Sequence, residues 1–73
     1  MYSINDLVKI TALGCRLELN AKNYSTNDLI KIATLASSKG SRIMISLEER
    51  KLSVNEMMRI VSLGKGCVSF KDL

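Results

Sequence analysis

The chain switches between two hydrophobic patterns, and it does so three times. Blocks with apolar residues three and four apart are "SINDLVKITAL" (3–13), "STNDLIKIATL" (25–35) and "SVNEMMRIVSL" (53–63). Each is followed by a short stretch in which apolar and polar residues alternate: "CRLEL" (15–19), "RIMISL" (42–47) and "CVSFK" (67–71). Spacings of three and four collect side chains on one face of a helix, and strict alternation collects them on one face of a strand. The pattern therefore predicts helix–strand, three times over.

The helical blocks match position by position. Each starts Tyr2–Ser3, Tyr24–Ser25 or Leu52–Ser53, runs through Asn5, Asn27 or Asn55 and Asp6, Asp28 or Glu56, and continues with Lys9, Lys31 or Arg59. Ile10, Ile32 and Ile60 follow, and Leu13, Leu35 and Leu63 close the blocks. A serine hydroxyl can accept from an unpaired N–H at a helix start, so Ser3, Ser25 and Ser53 are expected N-caps. The acid three residues on suits a capping box and complements the helix dipole. The preceding Tyr or Leu suits a hydrophobic staple onto Leu7/Val8, Leu29/Ile30 or Met57/Met58. Acid–base pairs three apart, as in Asp6–Lys9, are expected to add a few tenths of a kcal/mol each.

On a 100° helical wheel, Ile4, Leu7, Val8 and Ile10 share one broad arc that Leu13 widens. Such an arc suits a helix that touches both a sheet and neighbouring helices. By the same pattern Met57 and Met58 are core residues. Gly14, Gly40, Gly64 and Gly66 mark the turns into the strands. The strand-to-helix spacing is constant, six positions from Leu19 to Ser25 and six from Leu47 to Ser53. Only the helix-to-strand loop varies, and it is longest at "ASSKGS" (36–41).

Equal connections favour equal geometry, and a helical crossover makes successive strands parallel neighbours. The expected fold is α/β: three tandem helix–strand repeats (2–23, 24–51 and 52–73) in a single domain, with a three-stranded parallel sheet and helices on one face. It amounts to a short solenoid. The chain ends "FKDL", like the start of a turn into a further unit. Apolar repeat ends then make association of two copies through an end helix or edge strand the expected partnership.

Within the third repeat, "LSVNEMMRIVSLGKGCVSF" (52–70) resembles the second helix and following strand of the HPr phosphocarrier family, where a helix also ends in Ser-Leu-Gly before a short loop and a strand. The resemblance covers about a quarter of the chain and implies an HPr-like open-faced α/β sandwich, with an antiparallel sheet, as the second candidate architecture. The family's phosphorylated histidine has no counterpart, because the chain contains no histidine. Glu56 stands at the position matching its regulatory serine.

Composition narrows the function. Seventy-three residues bury only roughly 60% of their unfolded surface, so the core is small. With 47% apolar residues the chain is not of the disordered kind. No apolar run approaches the ~20 residues of a membrane span, and no signal-peptide pattern opens the chain. A cytoplasmic protein with no membrane partner is expected. Without histidine there is no imidazole base and no Ser-His-Asp or Cys-His arrangement, so a non-enzyme is expected. Two cysteines cannot close a zinc site, and no cofactor is expected. "GKG" (64–66) follows a helix instead of opening one, so it reads as a turn and not a phosphate loop. Cys15 should face the core and Cys67 the outside.

The candidate site is the sheet face without helices, lined by Arg16, Glu18, Arg42, Met44, Ser46, Cys67, Ser69 and Lys71. The expected function is a small non-catalytic protein-interaction or regulatory module. The alternative is a weak nucleic-acid binder using that face with the Lys39 and Lys65 loops, in line with a net charge of +4. Its three aromatics offer no stacking platform: Tyr2 and Tyr24 are expected staples and Phe70 points inward.

Overall fold

A computed structural model describes residues 2–73. Helices and strands alternate as the pattern predicts: α1 (Ile4–Thr11), β1 (Arg16–Asn20), a 3-10 turn (Ala21–Asn23), α2 (Thr26–Lys39), β2 (Arg42–Ser46), α3 (Val54–Gly64) and β3 (Val68–Lys71).

The three serines start the helices. The hydroxyls of Ser3, Ser25 and Ser53 accept from the backbone N–H of Asp6, Asp28 and Glu56 at 3.2, 3.1 and 3.1 Å. Only the third start completes a capping box. There Glu56 Oε1 accepts from the Ser53 N–H at 2.9 Å. Aspartate is one methylene shorter, and the reciprocal bond is the preserve of Glu or Gln. The expected acid–base pairs along the helices do not form. Among the described residues Asp6–Lys9, Asp28–Lys31 and Glu56–Arg59 do not come within 4.0 Å. Tyr2 stays exposed and is no staple, whereas Tyr24 packs against the core and Leu52 is buried.

The helices differ at their C-termini. α1 stops at Thr11, so Leu13 lies beyond it, while Leu35 and Leu63 are helical. α2 runs on through Ala36–Lys39, which the sequence suggested as loop, because Ala36 is buried against the core. Gly40 then takes φ +75° and ends the helix. Gly64 is not a turn residue but the last residue of α3, and Lys65 takes the left-handed cap at φ 47°.

All strand pairs are parallel, in the order β1-β2-β3, which excludes the antiparallel sandwich that the HPr resemblance implied. Leu17, Ile43 and Val68 form one inward row, and Leu19, Ile45 and Phe70 the next. Ile43 and Ile45 on the central strand are buried, while Leu17, Val68 and Phe70 on the edges are only half-buried. Leu29, Ile32, Ala33 and Ala36 of α2 cover them, with Leu7 and Ile60 from the flanking helices. The helices thus form one layer, with α2 between α1 and α3.

Two polar devices join the units. Buried Ser41 accepts from the Cys15 N–H at 2.9 Å and donates to the Thr11 carbonyl at 2.7 Å. It links the end of α1 to the start of β1 from the next unit. Farther on, Arg50 donates to the carbonyls of Ala21 (3.0 Å) and Tyr24 (2.7 Å) and to Thr26 Oγ1 (2.8 Å). Thr26 in turn donates to Glu56 Oε2 at 2.6 Å. The loop before α3 is thereby held on the start of α2.

Candidate functional site

The strands carry the predicted residues to the uncovered sheet face, because alternation sends every second side chain away from the helices. Arg16 and Arg42 are register partners and both exposed, as are Glu18, Met44 and Ser69. Among the described residues neither arginine has a carboxylate within 4.0 Å. They border a shallow groove of about 450 Å³ that also takes in Met44, Gly66, Cys67 and Ser69. Two unpaired guanidinium groups on one open face suit an acidic ligand.

The other half of the face is spanned by an exposed ion pair. Lys71 on β3 meets Glu18 on β1 at 2.7 Å, reaching across the central strand. The hydrogen bond to Glu18, helped by its charge, holds the Lys71 ammonium above its usual range. Ser46 was expected on the open surface and is instead buried. Its hydroxyl bonds Asp72 at 3.0 Å and receives the Glu48 N–H at 3.4 Å, so the chain after β2 and β3 folds over it. Cys67 precedes β3 in the turn after α3; it lines the groove but also packs against the core, so it is not simply outward. Cys15 lies just before β1 and is half-buried. Lys39 belongs to α2 and not to a loop.

The two ends of the helix layer form a second surface. Equivalent positions are matched by the serine caps, so that Thr11, Ala33 and Val61 correspond. Thr11 is 0% exposed and Ala33 1%, but Val61 is 43% exposed. The reverse holds for Ile10, Ile32 and Ile60, which are 39%, 1% and 0% exposed. The first position is covered only where a unit follows, and the second only where a unit precedes. A shallow apolar groove of about 430 Å³ on α3 collects Val54, Met57, Met58, Val61 and Phe70. Met58, a core residue by sequence, is 63% exposed. Its counterpart Val8 faces Lys31, Thr34 and Leu35 of the next helix. At the other end Tyr2, Ile10 and Leu13 are exposed.

Sequence reasoning missed the Arg50–Thr26–Glu56 cluster. Glu56 is held below the usual carboxylate range, first by the hydrogen bond from Thr26 and then by the Ser53 N–H, with Arg50 adding at 3.9 Å. The only local hint was the Arg50–Lys51 pair ahead of the third cap. Three of the Arg50 N–H groups and the Thr26 hydroxyl are spent on partners within the fold, so the cluster works as a clamp between the loop and the start of α2. No three His, Cys, Asp or Glu residues among the described residues come together as metal ligands.

No family model matches the chain, and no curated protein or solved structure is significantly similar to it.

Proposed function

We propose that this chain is a non-catalytic protein-interaction module that works by association, its own copies included, through the bare ends of its helix–strand stack. One observation carries the reading: positions that are buried between units, represented by Ala33 and Ile32, are apolar and uncovered at the ends as Val61 and Ile10. Exposed apolar side chains grouped at both ends of so small a chain suit association. Both cysteines are unbridged thiols, which suits a cytoplasmic setting. The test is mass against concentration, by light scattering or sedimentation. Association should be evident by ~100 µM and reverse on dilution. A single monomeric mass up to that concentration removes self-association.

The unpaired Arg16–Arg42 pair supports a second reading, a weak nucleic-acid interface on the open sheet face. Such binding would rest on phosphate contacts and weaken with salt. A mobility shift at ~50 mM salt that Arg16→Ala with Arg42→Ala abolishes would support it; no shift at that low salt would end it.

A further inference from the structure

We infer that a second copy of this chain docks head to tail, the α1/β1 end of one copy on the α3/β3 end of the other. The stack of helices and the sheet then continue across the junction. This deepens the self-association proposed above and rests on it.

The chain's own internal junctions supply the geometry. Two successive junctions, unit one on two and unit two on three, share the same parallel strand pairing and the same helix order, although α2 packs more extensively on α3 than on the shorter α1. In each, the helix position of Thr11 or Ala33 is covered by the following unit, and the position of Ile32 or Ile60 is covered by the preceding one. α3 presents the first kind of surface with nothing on it, and α1 presents the second. The two bare ends are therefore the two halves of a junction that the molecule already makes twice. Met58 occupies the position of Val8, which faces Lys31 and Leu35. In a continued stack Met58 lies across a shallow groove from Lys9 of the next copy, and Leu13, just past the end of α1 and 87% exposed, stands on the same end surface.

The strand edges agree. In a parallel ladder successive residues direct their N–H and C=O groups to opposite sides. Arg42 N–H donates to the Cys15 carbonyl, so Cys15, Leu17 and Leu19 bond toward β2, leaving Arg16 and Glu18 pointing to the free edge of β1. Ile43 N–H donates to the Cys67 carbonyl and Leu47 N–H to that of Lys71. Val68 and Phe70 therefore point to the free edge of β3. Continuing the inward row Leu17–Ile43–Val68 sets Val68 opposite Leu17 of the next copy. In that register the free groups of Val68 and Phe70 face those of Arg16 and Glu18. An isologous α3-to-α3 dimer would cover the apolar groove but leave both edges open.

Tyr2 gains a role as well. Tyr24, its counterpart, donates its hydroxyl to the Tyr2 carbonyl of the preceding unit at 2.8 Å. In the continued stack Tyr2 reaches the Leu52 carbonyl of the preceding copy. Head-to-tail contacts do not close on themselves as two-fold contacts do, so the series is open-ended.

The experiment uses two doubly substituted chains, a head variant (Tyr2→Glu with Leu13→Glu) and a tail variant (Met58→Glu with Val61→Glu). All four sites are exposed in the single chain. Circular dichroism checks that each variant folds. The wild type should grow past the dimer with concentration. Each variant alone should stay monomeric, and an equimolar mixture should give a heterodimer that grows no further, because each partner keeps one intact end. A tail variant that stays monomeric beside a head variant that still dimerises, with no gain on mixing, would mean an isologous dimer. That overturns the head-to-tail geometry and keeps self-association. A wild type that stays monomeric overturns both, including where it binds a different protein. A readout independent of the variants is amide exchange in the wild type. Protection at Glu18, Val68 and Phe70 should rise at least ~10-fold on association, and unchanged protection there overturns the proposed junction.

Discussion

Gly64→Ala is a substitution whose sign depends on one contact. Ala is favoured over Gly by up to about 1 kcal/mol within a helix and by less at a last residue such as Gly64, which has no left-handed φ that would forbid a side chain. On helix propensity alone the variant should be more stable. A Cβ at Gly64 would lie 2.5 Å from Val68 Cγ2 and 3.2 Å from Val68 Cβ, with Ala33 Cβ at 3.6 Å already in contact on the α2 side. The methyl has no slack to swing into. Overpacking of this kind costs about 1–3 kcal/mol, and Val68 can give part of it back by rotating, because it is half-buried on an edge strand. The net expectation is a loss of about 1 kcal/mol, or roughly 4–8 °C in Tm for a chain of this size. Urea denaturation at low protein concentration measures it. Val68→Ala removes the nearest clashing atom, so in that background Gly64→Ala should cost nothing or stabilise. The coupling from the double-mutant cycle should be about 1–2 kcal/mol. A Gly64→Ala variant that gains the full propensity term, or a cycle with no coupling, would refute the close approach of α3 to β3.

Other substitutions test the polar devices. Arg50→Ala should cost about 2 kcal/mol in urea, since it strips charged donors from the carbonyls of Ala21 and Tyr24 and from Thr26. Arg50→Lys should restore less than half, because a single ammonium cannot span the three acceptors. Thr11→Val should stabilise by about 1 kcal/mol, because the Thr11 hydroxyl is buried without a partner and valine keeps its shape. A loss of stability there would mean that the hydroxyl is satisfied. Glu56 should make the fold acid-sensitive: its folded pKa is depressed, so its contribution is present above the ordinary carboxylate range and is lost as pH falls through the depressed value. Wild type should therefore lose more Tm than Glu56→Gln between about pH 5 and pH 2. Glu49, also lowered by its Lys22 partner, is common to both chains and drops out of the difference.

Features set by neighbouring residues were legible in the sequence. Capping serines act on an N–H three positions away, and strand alternation acts over two, so the helix starts and the two sheet faces could be read directly. What eluded sequence reasoning depends on elements brought together from afar. Glu56 was expected to pair with Arg59 one turn on; it meets Thr26 and Arg50 instead, the first 30 residues away. Glu18 and Lys71 meet only because β1 and β3 flank the same strand. The "ASSK" of α2 has the composition of a loop, and burial of Ala36 overrides it. Ser46 alternates outward as expected but lies beneath Asp72, which no period could indicate. Met58 follows the core pattern of its counterparts and is exposed because no helix among the described residues packs over that side of α3.

That last difference bears on why the ends matter. In a stack of units, stability comes from each unit and from each junction between neighbours. Three units have two junctions, and the two outer surfaces contribute nothing. The side chains that a third junction would bury are in place: Val54, Met58 and Val61 on one side, Ile10 and Leu13 on the other. A chain of this length is marginal, so one more junction is a large fraction of its stability. On the proposed head-to-tail reading, folding and association are therefore linked, and Tm must rise with protein concentration by mass action. The same linkage orders the variants. Blocking either end alone should lower the wild-type Tm at high concentration to its dilute value, and change the dilute value much less, because the blocked side chains are exposed in the single chain.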